Sequence, residues 1–323
     1  MNPIDYCQQQ AAPPGSPAYY ALRYASLLQR PLFMPLLTLR KEWEDTVTQA
    51  SDPSIAQAKL AWWAQEIATA ASADPGRPPT HPATQALATA PGGWLPRLAP
   101  LLIAVIDAHR EDVEKARYLD FAALQRHFRE SSGRIAGILA YCSDAANGEP
   151  DRQHTPTLTN TGRAPRLDTS IMQGPDTSSS SAPALTDADL PEWAIALGAA
   201  TRLANVITLI GDHARHGRIY LPVDDMQTHQ VPASDVLNRR YTPAMLALLL
   251  EQANRARDGL LAARAAAPAI PRQRRRHHRV LLAEAAMAQR LLDEVLRDGV
   301  QVLHQRIALT PVRNLLASWW GSR

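Results

Sequence analysis

Cysteine is nearly absent from this 323-residue chain. Cys7 and Cys142 cannot build a disulfide framework and offer no zinc-type spacing, so a reducing cytoplasm is the expected setting. Aromatic residues make up only 6%, yet 46% of the chain is hydrophobic. That is enough for one large core or two modest ones, and it excludes a small scaffold that needs staples. Glycine is scarce beside proline, 15 against 26, which argues against a glycine-turned β-protein and for helices punctuated by stiff breaks. Charge of one sign is lacking too. The 34 basic and 31 acidic residues leave a formal +3, so no dedicated nucleic-acid binder is indicated. The best apolar run, Leu98 to Ile106, contains Pro100 and falls well short of the roughly 20 residues of a membrane span. Met1 to Pro17 is polar, with no basic start and no apolar stretch, so no secretory signal is read there.

What is present is helical periodicity. Leu203, Val206, Ile207 and Ile210 fall on one helix face, as do Leu281, Ala285, Ala288, Leu292 and Val295. Tyr118 to Tyr141 carries Phe121, Leu124, Phe128, Ile135, Ile138 and Leu139 among polar residues and reads as another helix. Alternating strands are missing, apart from a weak candidate at Arg218 to Leu221. The expectation is a single all-α domain over 1–323. Within it, 143–188 is rich in Ser, Thr, Pro, Asp, Asn and Gly and reads as a disordered insertion between two helices. A second loop, Ala73 to Pro82, is set by Pro75, Gly76, Pro78, Pro79 and Pro82.

The most specific string runs from Asn205 to Pro222, NVITLIGDHARHGRIYLP. An apolar helical face leads into Asp212 and then into a basic, glycine-broken turn with Arg215, Gly217, Arg218 and Tyr220. A carboxylate beside two guanidiniums has the chemistry to hold a Mg²⁺–phosphate group, the acid on the metal and the arginines on the phosphate oxygens. The plainer reading is a helix C-terminus finished by basic residues and a glycine cap.

This string resembles the second signature of the squalene/phytoene synthase family, approximately N-I-x-R-D-x-x-E-D-x-x-x-G-R-x-Y-L-P. The surrounding chain follows the family in order. Tyr19 to Ser26 resembles its opening helix, Ala58 to Glu66 its W-W segment, His81-Pro82 with Leu87 its H-P-x-x-x-A-L, and Glu111-Asp112-Val113 its M-x-x-D-L. Phe128 to Gly137 is similar to the helix ending A-G-x-V-G, and Arg279 through Arg306 to Val312 to the closing helices. The resemblance implies an isoprenoid-synthase helical fold with a central cavity. It also implies a transferase that condenses two prenyl diphosphates head to head, with Mg²⁺ held by two Asp-rich motifs on facing helices.

Those motifs are where the sequence departs. The first falls on Glu44-Asp45-Thr46-Val47-Thr48, with Glu and Thr in place of its outer aspartates. In the second, Leu209 and His213 stand at the outer positions and Asp212 remains. The implied metal ligands are therefore Glu44, Asp45 and Asp212, and the implied diphosphate contacts are Arg215, Arg218 and Tyr220. Three acids are few for a cluster of two or three Mg²⁺. The same loss marks the branch of mitochondrial respiratory complex I assembly factors, which keep the W-W segment and the G-R-x-Y-L-P turn.

Three readings follow from the resemblance. One is a binder of a prenyl diphosphate or related lipid with degenerate metal motifs. The others are an active Mg²⁺-dependent condensing enzyme and a non-catalytic respiratory-complex assembly factor. The implied location is cytoplasmic, with peripheral contact at an anionic inner membrane that the arginines of 272–279 would favour. Trp62 and Trp63 read as core and rim packing, Cys142 as inert, and adjacent His277 and His278 as a poor metal pair. Trp319 and Trp320 read as packing onto the domain or touching a membrane interface.

Overall fold

A computed structural model describes residues 2–50, 52–115, 117–146, 183–267 and 275–322. The abundance of proline has a local explanation. At Asn2-Pro3, Ser16-Pro17, Asp52-Pro53, His81-Pro82, Thr242-Pro243 and Thr310-Pro311 a polar residue caps a helix whose first position is proline. The cap side chain accepts an otherwise unpaired backbone N–H, and proline at the next position has no N–H to satisfy.

The N-terminal part runs through α1 (Pro3–Ala11), α2 (Pro17–Ala21), α3 (Arg30–Gln49), α4 (Pro53–Ser72), α5 (Pro82–Ala88) and α6 (Leu95–Glu114). Next come α7 (Phe121–Phe128), a π-helical turn at Arg129–Gly133 and α8 (Arg134–Ala145), one almost continuous rod as its periodicity implied. The second part holds α9 (Glu192–Thr208), α10 (Ile210–Arg215), α11 (Val223–Thr228), α12 (Ala233–Leu237), α13 (Pro243–Ala266), α14 (Arg279–Arg297) and α15 (Pro311–Gly321). Among the described residues there is no strand, and Arg218 to Leu221 is irregular backbone.

Helix α9 is the axis of the bundle, packed by α8, the π turn, α13 and α14, while α4 lies along α6 and α1 joins α3 and α5. Trp43, Phe33, Phe128, Leu60, Leu98 and Leu102 are fully buried. The predicted α9 face is buried throughout, but the helix stops at Leu209 (φ −114°, ψ 11°), so Ile210 opens a new helix. Helices α8 and α9 cross nearly backbone to backbone: a Cβ on Gly198 would lie 2.5 Å from the Ala136 Cβ and 2.9 Å from the Ser132 carbonyl. This crossing, beside the π turn, carries Ser132 toward the centre.

The edges of the predicted 143–188 insertion need correction, and its middle, 147–182, lies outside the described residues. Ser143 to Ala145 finish α8, with Ser143 buried. Leu185 is buried as well, and its N–H donates to the Arg97 carbonyl at 3.0 Å. Apolar contact and a paired backbone group order these flanks, which composition alone could not reveal. Among the described residues no helix is long and apolar enough to cross a membrane.

Candidate functional site

Two carboxylates, the largely buried Glu44 and the fully buried Asp112, organise the centre of the bundle. Glu44, on α3, accepts a hydrogen bond from Arg202 Nη1 of α9 at 2.8 Å and another from Ser132 Oγ of the π turn at 2.8 Å. One turn earlier on α3, Arg40 reaches Glu284 of α14 through a two-pronged contact at 3.0 and 3.4 Å. Burial pushes the Glu44 carboxyl up, but the guanidiniums of Arg202 and Arg40 outweigh it and hold the group below the usual carboxylate range. The charges alternate across three helices, Glu284, Arg40, Glu44, Arg202. Each is desolvated, and each has an opposite charge beside it.

The second carboxylate is Asp112 on α6, its side chain 1% exposed. Its Oδ1 accepts from the Tyr118 hydroxyl at 2.6 Å, and its Oδ2 from the Tyr220 hydroxyl at 2.7 Å. Arg218 Nη2 lies 3.0 Å from Oδ2 and also donates to the Asp112 backbone carbonyl at 2.8 Å. Burial works against ionisation here too, yet His127, Arg218 and the two phenols hold the carboxyl below its ordinary value. The turn after α10 is thereby fastened to α6, and the rings of Tyr118 and Tyr220 stack at 6.3 Å.

Buried imidazoles lie within reach of both carboxylates' charge. His109 and His213 both feel Glu44, Asp112 and Arg202, and burial lowers each pKa to about 3. Both are therefore neutral at pH 7, and each has an Nδ1 with no hydrogen-bond partner in the protein. The His127 ring lies 5.8 Å from that of His109, and Tyr220 packs 5.0 Å from His213.

The predicted site residues separate into two groups. Glu44, Arg218 and Tyr220 turn inward and join the central network. Asp45, the next residue after Glu44, leaves the helix in another direction and pairs with Lys41; burial raises its carboxyl. Asp212 is half exposed and pairs with Arg215 at 3.5 Å, within its own short helix. Glu44, Asp45 and Asp212 thus carry three different cationic partners, and no cluster of three His, Cys, Asp or Glu side chains with metal-site geometry occurs among the described residues.

Arg40, His109, Asp112, His127, Ser132 and Arg202 were not among the sequence candidates. Asp112 had a signal, since it stands in the matched Glu111-Asp112-Val113 segment. Arg202 had a fainter one: it is a lone guanidinium between the buried residues Leu197 and Leu203 of an apolar helix. The matched W-W and H-P segments meet as packing. The His81 ring lies 4.5 Å from Trp63, while Glu66 accepts the backbone N–H groups of Thr80 and His81, each at 2.7 Å. Trp63 is buried and Trp62 is half exposed, as core and rim require.

A family model described as Squalene/phytoene synthase matches residues 13–313. The chain belongs to the squalene/phytoene synthase family. Among curated proteins it is 34% identical to the phytoene synthase of Arthrospira platensis over 116 residues, 36% of each chain. It is 37% identical to the 15-cis-phytoene synthase of Synechocystis sp. over 93 residues, 28% of each. These matches span about a third or less of the relatives' length. Among solved structures, a dehydrosqualene synthase in complex with ligand superposes with a TM-score of 0.70 at 16% identity, covering 99% of this chain and 95% of that one. The squalene synthase HpnC from Alicyclobacillus acidocaldarius gives 0.63 at 18% identity, covering 92% and 94%. The isoprenoid-synthase helical fold expected of this family member is therefore present.

Proposed function

We propose that this family member binds a prenyl diphosphate or a related lipid, as a cytoplasmic protein in peripheral contact with an anionic inner membrane, and does not carry out Mg²⁺-dependent head-to-head condensation. The observation that carries the reading is the state of Glu44. Both of its oxygens are engaged by groups of the protein, Arg202 on one and Ser132 on the other. A guanidinium already stands where a cation would be needed, so a metal entering there must displace a buried ion pair. Asp45 and Asp212 do not complete a ligand set around it, and the donors do not fit a Mg²⁺ cluster. The binding half of the reading rests on family membership and on relatives named as phytoene synthases.

The test is incubation with farnesyl or geranylgeranyl diphosphate, with and without Mg²⁺, followed by lipid extraction and a thermal-unfolding scan. The expected result is stabilisation by a diphosphate that does not depend on Mg²⁺, with no squalene- or phytoene-length product. Product formation at ordinary enzymatic rates would overturn it. The second reading, an assembly factor with no lipid ligand, is favoured by the same closed ion-pair network, and it is selected if neither diphosphate stabilises the fold.

A further inference from the structure

Helix α15 is amphipathic the wrong way round for a helix that only packs. Its buried face is small and polar: Asn314, Ala317 and Ser318 are buried where the helix packs on α14, and a Cβ on Gly321 would meet the Ala286 Cβ at 2.1 Å. Its large apolar residues face outward. Val312 is 65% exposed, Leu315 44%, Leu316 52%, Trp319 41% and Trp320 63%. The spacing i, i+3, i+4, i+7, i+8 makes one continuous stripe. Scattered apolar residues on a surface need no explanation, but a stripe two turns long with paired tryptophans does.

Cations surround it. A cleft of about 270 Å³ beside Trp320 is lined by Arg264, Arg290 and Gln289 and contains no acid. A second, of about 290 Å³, shares Arg290 and Trp320 and adds Arg297 and Arg313 against Asp293 and Glu294. Arg264 is half-buried, and burial together with the neighbouring charges of Arg290 and Arg275 disfavours its charged form. Arg275 Nε has no partner within the protein. Five guanidiniums thus gather around two carboxylates. The segment before α3, with Leu27 and Leu28 91% and 65% exposed, braces the buried side of α15. Tyr24 meets Ser318 at 3.4 Å, and Gln29 Nε2 donates to the His277 carbonyl at 2.9 Å.

We infer that the outward stripe of α15 is the surface by which this protein lies on an anionic phospholipid bilayer, with Arg264 and Arg290 on the lipid phosphates; Arg313 is already paired with Glu294 at 2.8 Å. This rests on the peripheral-membrane part of the proposed function and names its surface, which is not the 272–279 run alone. Aromatic and aliphatic side chains flanked by arginine suit the interfacial zone, where rings sit at headgroup depth and guanidiniums take phosphate oxygens. A second copy of the chain fits less well, because a self-complementary contact would set this excess of arginine against itself.

The experiment is flotation of the full chain with vesicles of equal parts phosphatidylglycerol and phosphatidylcholine, beside vesicles of phosphatidylcholine alone. The variants are L316S/W320S, R264Q/R290Q, and R276Q/R279Q in the basic run. All of the changed side chains lie at the surface or the cleft, and circular dichroism checks each fold. Binding is expected only to the anionic vesicles and is expected to fall with salt. L316S/W320S should reduce it roughly 100-fold, about tenfold for each large side chain no longer buried in the interface. R264Q/R290Q should weaken it more than R276Q/R279Q. Wild-type binding that L316S/W320S leaves intact overturns the α15 surface while the peripheral reading stands. No binding to either vesicle overturns both. A concentration-dependent dimer that L316S/W320S abolishes, without lipid binding, overturns it in favour of a second copy.

Discussion

Replacing Arg202 with methionine tests the central network most directly. Methionine keeps the length and apolar stem of the side chain but removes the charge 2.8 Å from Glu44 Oε2. The two side chains are only 14% and 17% exposed, so Glu44 would be left desolvated with Ser132 and the more distant field of Arg40. Breaking one side of a fully buried pair typically costs about 3–5 kcal/mol. Residual exposure and the help of Arg40 put the expected loss near 2–3 kcal/mol at pH 7. The pH dependence identifies the cause. In the wild type the folded pKa of Glu44 is depressed, so its contribution is present above the unfolded value and lost as pH falls through the folded one. In the variant burial is no longer outweighed, the carboxyl protonates earlier, and the deficit should shrink as pH falls toward about 4. Urea midpoints at pH 7 and near pH 4 measure both quantities, and adding Glu44→Gln to the variant should recover most of the loss. A deficit below about 0.5 kcal/mol, or one that does not change with pH, would refute the argument that this pair is a buried internal neutralisation.

The buried imidazoles predict acid sensitivity of a different origin. His109 and His213 titrate near pH 3 when folded and near pH 6.5 when unfolded, so between those values only the unfolded chain takes up protons. Stability should therefore fall as pH drops below about 6.5, by up to about 1.4 kcal/mol per pH unit for each ring. His109→Gln and His213→Asn should flatten the slope of urea midpoint against pH between 6.5 and 5, and an unchanged slope would contradict their burial as neutral bases. At the α8–α9 crossing, Gly198→Ala should destabilise by about 1–3 kcal/mol, because its Cβ would stand 2.5 Å from that of Ala136. Thermal unfolding indistinguishable from wild type would mean that the two helices do not approach so closely.

How much of this was readable beforehand depends on how far apart in sequence the interacting groups lie. Helices α9 and α14 announce themselves because the residues that define each face are three or four positions apart, and the 3.6-residue period is written locally. The capped starts at Asp52 and Thr242 are equally local. The edges of the 143–188 segment were not, since the burial of Leu185 depends on a contact with Arg97, 88 positions away in the chain. The site follows the same division. Counting acids along Glu44–Thr48 and Leu209–His213 finds only Glu44, Asp45 and Asp212, but it does not say what balances their charge. For Glu44 the answer is Arg202, 158 positions from it, and Ser132, 88 positions from it. Neither belongs to an acidic motif, so no motif spacing contains them. Acids counted along a sequence come without their partners, whereas in the folded chain Glu44 is neutralised by Arg202. That difference sets the chemistry. On the function proposed above, Leu209→Asp with His213→Asp should bring no Mg²⁺ binding by calorimetry while Arg202 stays paired with Glu44, and binding by that double variant would overturn the reading.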